Sequence, residues 1–483
     1  MVRGALWTGS ASIARQGLQI FTSLLLGRLL PPHDFGTLAM AMVFAGLTQI
    51  FVDFGLGLAI VQARCTDRIT LSSSFWLALS VSAVAATVLA CGASLIGHLY
   101  HDDELVPVLE LLAVNILLSG TMIVPVAILQ RDLRFAALAR ATLLSSVVGS
   151  GSAVGMACWG FGVWSLVAQP LAGTSCFLVA ITAESRWRPS FEFSLQRLHG
   201  LLRFSGHVLG SSLLTYLNRN ADNFLVGRYL GSDALGFYGM AYQLMLYPLG
   251  QITAVVTKVS FPTLSQLYGD MVRFRAAYLE SCTTISMVTF PMMLGLLVVS
   301  RQFVEVVLGA KWLPIVVLLQ IFCPLGMLQS IATTVGTLYM SSGNTRAMFW
   351  FTLATTPLFL GSFVVGLKYG LLGITLSYAV VYAGITYFSM RIALSLVGLR
   401  FLDIIKATWR CFVCAVIMAA AVCVVDSLFF GLLKLPVAHL AAEVVFGASV
   451  YLLMSLLINW HNLSRVAARL RASLTSASTA AAP

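Results

Sequence analysis

The chain has 483 residues, of which 59% are hydrophobic and 10% are charged, and its formal net charge is +11. This composition excludes an ordinary soluble domain, in which about 25% of the residues are charged. Apolar runs of about 20 residues, the length that crosses a bilayer as a helix, recur along the whole chain. The composition therefore predicts a polytopic membrane protein.

The apolar runs predict an all-α fold of about 14 transmembrane helices, because a helix satisfies its own backbone hydrogen bonds in lipid. The first run holds Arg15, Gln16 and Gln19 in its middle and has no small-residue cleavage site at its end. We therefore expect a retained helix rather than a signal peptide. The predicted spans are 5–30, 36–62, 75–98, 105–128, 136–157, 162–183, 201–227, 236–258, 280–308, 314–340, 346–367, 371–394, 407–430 and 437–458.

Two stretches of fifteen residues, Gly27 to Ala41 and Gly227 to Ala241, match at a constant offset of 200 residues, with six identical positions. Internal repeats in a helical membrane protein are typical of transporters whose substrate site lies between the two halves. Because each half holds six helices, both halves are predicted to enter the membrane in the same direction. The predicted domains are two parallel six-helix bundles at 1–200 and 201–395, an additional helix pair at 396–460 and a cytoplasmic tail at 461–483.

The positive charges concentrate on alternate loops and on the tail. The residues on this side are Arg64, Arg68, Arg131, Arg134, Arg186, Arg188, Arg197, Arg273, Arg275, Arg346, Arg400, Lys406, Arg465, Arg469 and Arg471. By the positive-inside rule, this asymmetry predicts that both termini are cytoplasmic. The arginines of the tail, on a short basic helix that fades into disorder, are expected to meet anionic membrane lipids. The net charge then reflects topology, and no nucleic-acid partner is expected.

The first predicted helix of each half carries polar residues along one face. One stripe consists of Ser12, Arg15, Gln16, Gln19, Thr22 and Ser23, and the other of His207, Ser211, Thr215, Asn218, Arg219 and Asp222. An arginine near the bilayer centre costs at least about 2.5–3.5 kcal/mol unless it is paired or hydrated. The stripes therefore predict a shared aqueous cavity, with Arg15, Gln19, Asn218, Arg219 and Asp222 as its substrate-binding residues.

Other roles for the charged residues remain open at this point. Arg219 could pair with Asp222 one turn away, which would make the stripe structural. Asp53 could be the ion-pair partner of Arg15, or it could titrate as a coupling residue. Asp222 could also take up a coupling ion. Lys258 could contact a phosphate in the cavity, or it could extend to the headgroups at the end of its helix.

An arginine-lined cavity favours an anion, and the planar fork of the guanidinium group matches phosphate in particular. The neutral polar residues of the stripes can adapt to sugar hydroxyls. The predicted ligand is therefore an amphiphile with a phosphate group and a carbohydrate head.

Three segments carry a family resemblance. They are ARQGLQIFTSLLLGRLLPPHDFGTLAMA (Ala14 to Ala41), LQRDLRF (Leu129 to Phe135) and NRNADNFLVGRYLGSDALGFYGMAYQL (Asn218 to Leu244). With the helix count and the two halves, they resemble the polysaccharide transporter branch of the multidrug/oligosaccharidyl-lipid/polysaccharide superfamily. This branch includes the Wzx-type flippases, and the chain is most similar to its colanic-acid and teichuronic-acid exporter type.

The resemblance implies transfer of an undecaprenyl-pyrophosphate-linked oligosaccharide across a bacterial inner membrane by alternating access. In the related lipid II flippases, cavity arginines near the first and seventh helices contact the pyrophosphate. Arg15 and Arg219 correspond to them by helix and face. The additional helix pair resembles the groove that those flippases use for the lipid tail. A polysaccharide polymerase and the export machinery are implied as partners.

Two rival functions remain. A cation-coupled multidrug exporter of the same superfamily would favour an acidic cavity. A membrane glycosyltransferase could use the acidic run from His101 to Glu104, although this run is better explained as a solvated turn before a helix. No nucleotide-binding loop is present, and Cys411 and Cys414 are best explained as small apolar packing residues. The sequence assigns no catalytic residue, cofactor or metal, so a non-enzyme is expected.

Overall fold

The computed structural model describes the backbone of residues 2–62, 67–428 and 435–460. Side chains are described for these ranges except at 2–11, 195–197, 199–208, 211, 214 and 345. The predicted tail from residue 461 and the loop arginine Arg64 lie outside the described residues.

The described chain is helical from end to end, and the predicted all-α fold is confirmed. The helices are α1 (Val2–Leu29), α2 (Pro32–Asp53), α3 (Leu56–Gln62), α4 (Arg68–Tyr100), α5 (Leu105–Arg131), α6 (Phe135–Cys158), α7 (Val163–Ser185), α8 (Leu195–Leu267), α9 (Met271–Val298), α10 (Ser300–Phe303), α11 (Ile315–Ser341), α12 (Thr345–Leu367), α13 (Gly370–Leu396), α14 (Phe401–Leu428) and α15 (Pro436–Ile458). A π turn (Val304–Leu308) and a 3-10 turn (Ala310–Trp312) follow α10.

Within the described ranges, twelve helices are long and apolar enough to cross a membrane. Helix α8 has 73 residues and can cross a membrane twice, and α1, with 28 residues, is also long enough to cross. Counted in this way, the described chain has fourteen segments of membrane-crossing length, as predicted.

Helix α8 differs from the prediction of two helices at 201–227 and 236–258. The structure continues the helix through most of the predicted loop and breaks it only at Gly231, whose φ is 86° and ψ is 178°. The loop sequence contains no proline that would remove a backbone donor, so only the glycine leaves helical geometry. The first half of α8 is therefore 195–230 and the second half is 232–267.

A second difference lies after α2, where one helix was predicted over 36–62. The structure ends α2 at Asp53 and begins α3 at Leu56, with Gly55 between them at a φ of 81°. Glycine adopts this left-handed backbone without steric cost, so the helix is interrupted there.

Several helix starts follow from local chemistry. Asp67 caps α4 by accepting a hydrogen bond from the backbone of Thr70, and Asp270 caps α9 in the same way. Pro32 and Pro436 occupy the first helical positions of α2 and α15, where a missing backbone donor is harmless.

The chain divides into two compact units, Met1–Gly239 and Met240–Pro483. In the first, α4 packs on α5, and α6 packs on both α7 and α1. In the second, α9 packs on α11 and α14, and its core includes Phe274, Tyr278 and Leu338 together with Cys411 and Cys414. Each unit groups the residues that pack against one another, whereas the predicted domains follow the sequence repeat. The predicted domain ranges stay predictions.

Candidate functional site

The predicted site on α1 lies in the middle of that helix. Arg15 stands 13 residues after Val2 and 14 before Leu29, and both Arg15 and Gln19 are exposed. Among the side chains that the structure describes, no ion pair is recorded for Arg15. The assignment of Arg15 to a substrate site stays a prediction.

The first half of α8 carries the second set of predicted residues. Arg219 is exposed and Asn218 is half-buried. Asp222 is only 8% exposed, and its carboxylate accepts hydrogen bonds from the backbone of Asn223 at 2.8 Å and from the hydroxyl of Tyr238 at 3.0 Å. The ion pairs recorded over the described side chains do not include one between Arg219 and Asp222. The side chains of His207 and Ser211 lie outside the described residues.

Asp53 lies in a cavity of about 540 Å³ in the first unit. Gln49, one turn earlier on α2, donates a hydrogen bond from its Nε2 to Asp53 Oδ1 at 3.0 Å. The polar lining is completed by Ser119 and Gln130 of α5 and by Ser212 of α8. A cavity of this size and mixed lining fits the usual range for small-ligand sites.

The structure does not bring all predicted residues together. Neither Arg15 nor Arg219 is among the residues that line the cavity of Asp53. Lys258 is exposed on the second half of α8 and belongs to the second unit. An ion pair with Arg15 was one of the two roles left open for Asp53. The ion pairs among the described side chains do not include it, and Asp53 accepts a hydrogen bond from Gln49.

Two lining residues of this cavity, Gln49 and Gln130, escaped the sequence analysis. Gln49 stands four residues before Asp53, a spacing that places both on one helix face and could have indicated the contact. Gln130 follows Leu129 in the segment LQRDLRF, and nothing in its spacing relates it to α2.

The repeated stretches contact each other reciprocally within the first unit. A Cβ atom added to Gly36 would overlap the backbone carbonyl of Ser232, and one added to Gly236 would overlap that of Pro32. With the offset of 200, Gly36 corresponds to Gly236 and Pro32 to Ser232. Each glycine therefore lets one copy lie directly against the backbone of the other, as small residues do at membrane helix crossings.

A second contact joins α2 to the first half of α8. The hydroxyl of Tyr216 donates to the carbonyls of Met42 and Val43, at 2.9 Å from each oxygen. Gly46 leaves space for this ring, because any Cβ at that position would overlap the Tyr216 hydroxyl. The chain segment with Arg219 is thus held against α2 within the first unit.

The segment LQRDLRF forms the turn from α5 to α6. Arg134 donates to both the carbonyl and the carboxylate of Glu184, at 2.7 and 2.8 Å, and Arg140 pairs with the same carboxylate at 2.7 Å. These arginines therefore tie the start of α6 to the end of α7.

The acidic run from His101 to Glu104 forms the turn between α4 and α5, as the alternative to a catalytic role predicted. Asp102 accepts hydrogen bonds from the backbone of Glu104 at 3.1 Å and from the hydroxyl of Thr37 at 3.3 Å. The carboxylate thus closes a turn and fastens it to α2.

Comparison with known proteins decides the family. The model of a family described as polysaccharide biosynthesis protein matches residues 25–317, which is more than half of the chain. The chain belongs to the polysaccharide biosynthesis protein family. The predicted resemblance to the polysaccharide transporter branch is thereby confirmed.

Curated relatives in this family cover most of the chain. It is 27% identical over 392 residues to the lipopolysaccharide biosynthesis protein WzxC of Escherichia coli, a match that covers 79% of this chain and 78% of the relative. It is also 27% identical to the teichuronic acid biosynthesis protein TuaB of Bacillus subtilis, over 72% of this chain and 73% of that protein.

A solved structure supports the fold of this family member. The lipid II flippase MurJ, in an inward closed conformation, matches with a TM-score of 0.75 at 16% identity and covers 93% of this chain and 98% of that one. At this identity the likeness establishes the fold. Together with the apolar helices, it establishes a multi-pass membrane protein.

Proposed function

We propose that this protein is a flippase that moves an undecaprenyl-pyrophosphate-linked oligosaccharide across the bacterial inner membrane for surface polysaccharide synthesis. It acts as a transporter, not an enzyme, with both termini in the cytoplasm and a polysaccharide polymerase and export proteins downstream.

One observation supports this proposal above the others. Arg15 and Arg219 lie within helices of membrane-crossing length, and both are exposed without a recorded ion pair among the described side chains. An unpaired arginine at membrane depth is costly, so such residues are retained where they meet an anion or a wet cavity. The guanidinium fork can bind a phosphate through two parallel hydrogen bonds.

The proposed mechanism is alternating access. The diphosphate enters from the cytoplasm and binds Arg15 and Arg219, the sugars contact neutral polar residues such as Gln19 and Asn218, and the prenyl chain stays in lipid. A potential that is negative inside favours outward movement of negative charge, by about 2.3 kcal/mol per charge per 100 mV. Net negative charge that crosses with the substrate therefore drives the transfer outward.

The acidic residues take different parts in this proposal. Asp53 lines the cavity beside Gln49 and is the candidate coupling residue. Asp222 accepts a hydrogen bond from Tyr238 and serves to position the first half of α8. Lys258 is a further candidate for phosphate contact. The coupling ion is either H⁺ or Na⁺ if one is used.

Complementation of a deletion strain tests the proposal. Without the protein, lipid-linked repeat units should accumulate on the cytoplasmic side and surface polysaccharide should be lost. We expect Arg15→Ala and Arg219→Ala each to lower surface polysaccharide at least tenfold, since each loses a charge-assisted bidentate contact of about 1.5–3 kcal/mol. The variants Arg15→Lys and Arg219→Lys should recover part of the activity, because they keep the charge without the fork.

The matched control is Arg391→Ala, which removes an exposed arginine from another membrane helix, α13. It should transport as the unchanged protein does, at equal membrane abundance. Full transport by both alanine variants at Arg15 and Arg219 would remove the proposed site. Drug sensitivity of the deletion strain without any polysaccharide defect would favour the multidrug exporter instead.

A further inference from the structure

Three side chains with metal-binding atoms meet where α14 ends and α15 begins. They are Asp426, His439 and Glu443, and their ligand atoms all lie within 4.8 Å of one another. The Nε2 atom of His439 is 2.8 Å from Asp426 Oδ1 and 3.4 Å from Glu443 Oε1. His439 and Glu443 are four residues apart on α15, so they share one helix face.

One oxygen atom of this cluster has no hydrogen-bond partner in the described part of the chain. Glu443 is only 1% exposed, and its second carboxylate oxygen, Oε2, is buried without a hydrogen-bond partner. The amide nitrogen Nε2 of Gln302, on α10, lies 3.4 Å from both Asp426 Oδ2 and Glu443 Oε1. Both distances exceed the usual N–H···O range of about 2.7–3.2 Å. A buried carboxylate with an unsatisfied oxygen costs free energy unless a cation or a hydrogen-bond donor meets it.

We infer that Asp426, His439 and Glu443 form a binding site for a divalent transition-metal ion of the zinc type. The ion supplies the positive charge that two adjacent carboxylates lack, and it satisfies the buried oxygen of Glu443. The site joins α14 to α15, so the ion connects the two helices of the additional helix pair at one end. Gln302 stands beside both carboxylates and can orient them from α10.

The donor set distinguishes among metals. Zinc binds imidazole nitrogen and carboxylate oxygen at about 2.0–2.2 Å, which places tetrahedral ligand atoms about 3.4 Å apart. The separation from His439 Nε2 to Glu443 Oε1, 3.4 Å, equals that value. The 2.8 Å from His439 Nε2 to Asp426 Oδ1 is a hydrogen-bond distance, which lengthens by about 0.6 Å when an ion takes the place of the proton. Calcium and magnesium prefer six or more oxygen ligands and do not call for a nitrogen. Three protein ligands leave a fourth position for water or for an anionic ligand.

The ion also has a route to the site. The side chains of Asp426 and His439 are 33% and 18% exposed, while Glu443 closes the buried side. A hydrated ion can therefore reach the site from the side of Asp426 and His439 and exchange its water for protein ligands.

Metal content of the purified full-length protein tests the inference. The protein is stripped with a chelator, reloaded with zinc and freed of excess by gel filtration, and zinc per chain is then counted by mass spectrometry. We expect one ion per unchanged chain and an upward shift of the thermal midpoint with zinc. His439→Gln and Glu443→Gln should each weaken binding at least about 100-fold, since even loss of a residue behind a ligand costs about 10–100-fold.

The matched controls are His98→Gln and Glu305→Gln, which change exposed residues of the same types elsewhere. Both should keep the ion. The chain has nine cysteines, so zinc must also survive alkylation of the thiols. Zinc that is lost on alkylation, or retained equally by His439→Gln and Glu443→Gln, would overturn the inference.

A measurement on the unchanged protein covers the case in which these variants do not fold. Cobalt bound by imidazole and carboxylates gives visible ligand-field absorption without the near-ultraviolet charge-transfer band of a thiolate. That spectrum, competed away by zinc, is the expected result. Absence of bound cobalt, or a thiolate band, would contradict a site at Asp426, His439 and Glu443.

Discussion

The two copies of the repeated stretch interrupt the helix at equivalent positions in different ways. In the first copy the chain leaves α1 and restarts as α2 at Pro32, after Pro31 in an extended conformation. In the second copy α8 continues through the equivalent region and bends only at Gly231. Both copies nevertheless place a glycine, Gly36 or Gly236, against the backbone of the other.

The helices that lead into the two copies also differ in where their charges lie. With the offset of 200, Arg15 corresponds to Thr215 and Arg219 corresponds to Gln19. The helix that leads into each copy therefore has one arginine and one neutral polar residue at these two positions, with the order exchanged. The two arginine positions therefore differ by four residues, which is about one helical turn.

The two halves of the repeat therefore share the glycine contact between backbones, whereas their charged and polar residues stand at different positions. A close approach of two backbones tolerates only glycine, whereas a polar stripe can bind its ligand from either of two neighbouring turns. Three variants can break or sharpen this contrast.

The largest effect is expected from filling the reciprocal contact. In the double variant Gly36→Ala and Gly236→Ala, each new methyl group would overlap backbone atoms, which cannot rotate away. Overpacking of this kind costs about 1–3 kcal/mol per site. We expect a clear fall in the thermal midpoint of the purified protein, together with loss of transport.

Gly17→Ala and Gly239→Ala are the matched controls, since a Cβ at either position meets no atom within 4 Å. Alanine favours the helix over glycine by about 1 kcal/mol, so these controls should be neutral or stabilising. A fall in midpoint for the controls equal to that of the double variant would show that the contact is not tight.

A smaller effect is expected from Gly231→Ala. The position has free space around it, so the variant tests backbone conformation alone. Its φ of 86° and ψ of 178° lie in a region that only glycine adopts readily, and other residues pay about 1–3 kcal/mol there. Alanine should lower the midpoint or straighten α8, which a distance between spin labels on its two halves would measure. An unchanged midpoint with an unchanged distance would contradict this account.

Much of the fold could be predicted from hydrophobic runs, because length and apolarity decide which segments cross a bilayer. The continuation of α8 up to Gly231 could not be predicted, because a short polar segment without proline is compatible with either a loop or a helix. The candidate site could be predicted only in part. Periodicity selects Arg15 and Arg219 as candidates, and they stay predictions, because a helical face does not reveal which other helix it meets. The hydrogen bond from Tyr238 to Asp222 depends on the bend between them, whereas spacing alone suggests only a one-turn contact of Asp222 with Arg219.

The smallest effect is expected from Tyr238→Phe, which removes a bond found in the second copy only. Asp222 and Tyr238 correspond to Thr22 and Leu38 in the first copy, which cannot make the same contact. The hydroxyl of Tyr238 reaches Asp222 Oδ2 across the bend at Gly231, so the bond joins the two halves of α8. Its loss should cost about 1 kcal/mol, the net value of a typical hydrogen bond, and lower the midpoint slightly.

Tyr229→Phe removes the hydroxyl of an exposed tyrosine on the same helix and should leave the midpoint unchanged. Asp222→Asn separates two roles for the carboxylate. If Asp222 only positions α8, Asp222→Asn and Tyr238→Phe should lower the midpoint and transport together, and the double variant should add little to either. If Asp222 takes up the coupling ion, Asp222→Asn should abolish transport while Tyr238→Phe retains it. The positioning role predicts the first pattern, because the carboxylate is bonded across the bend that distinguishes the second copy from the first.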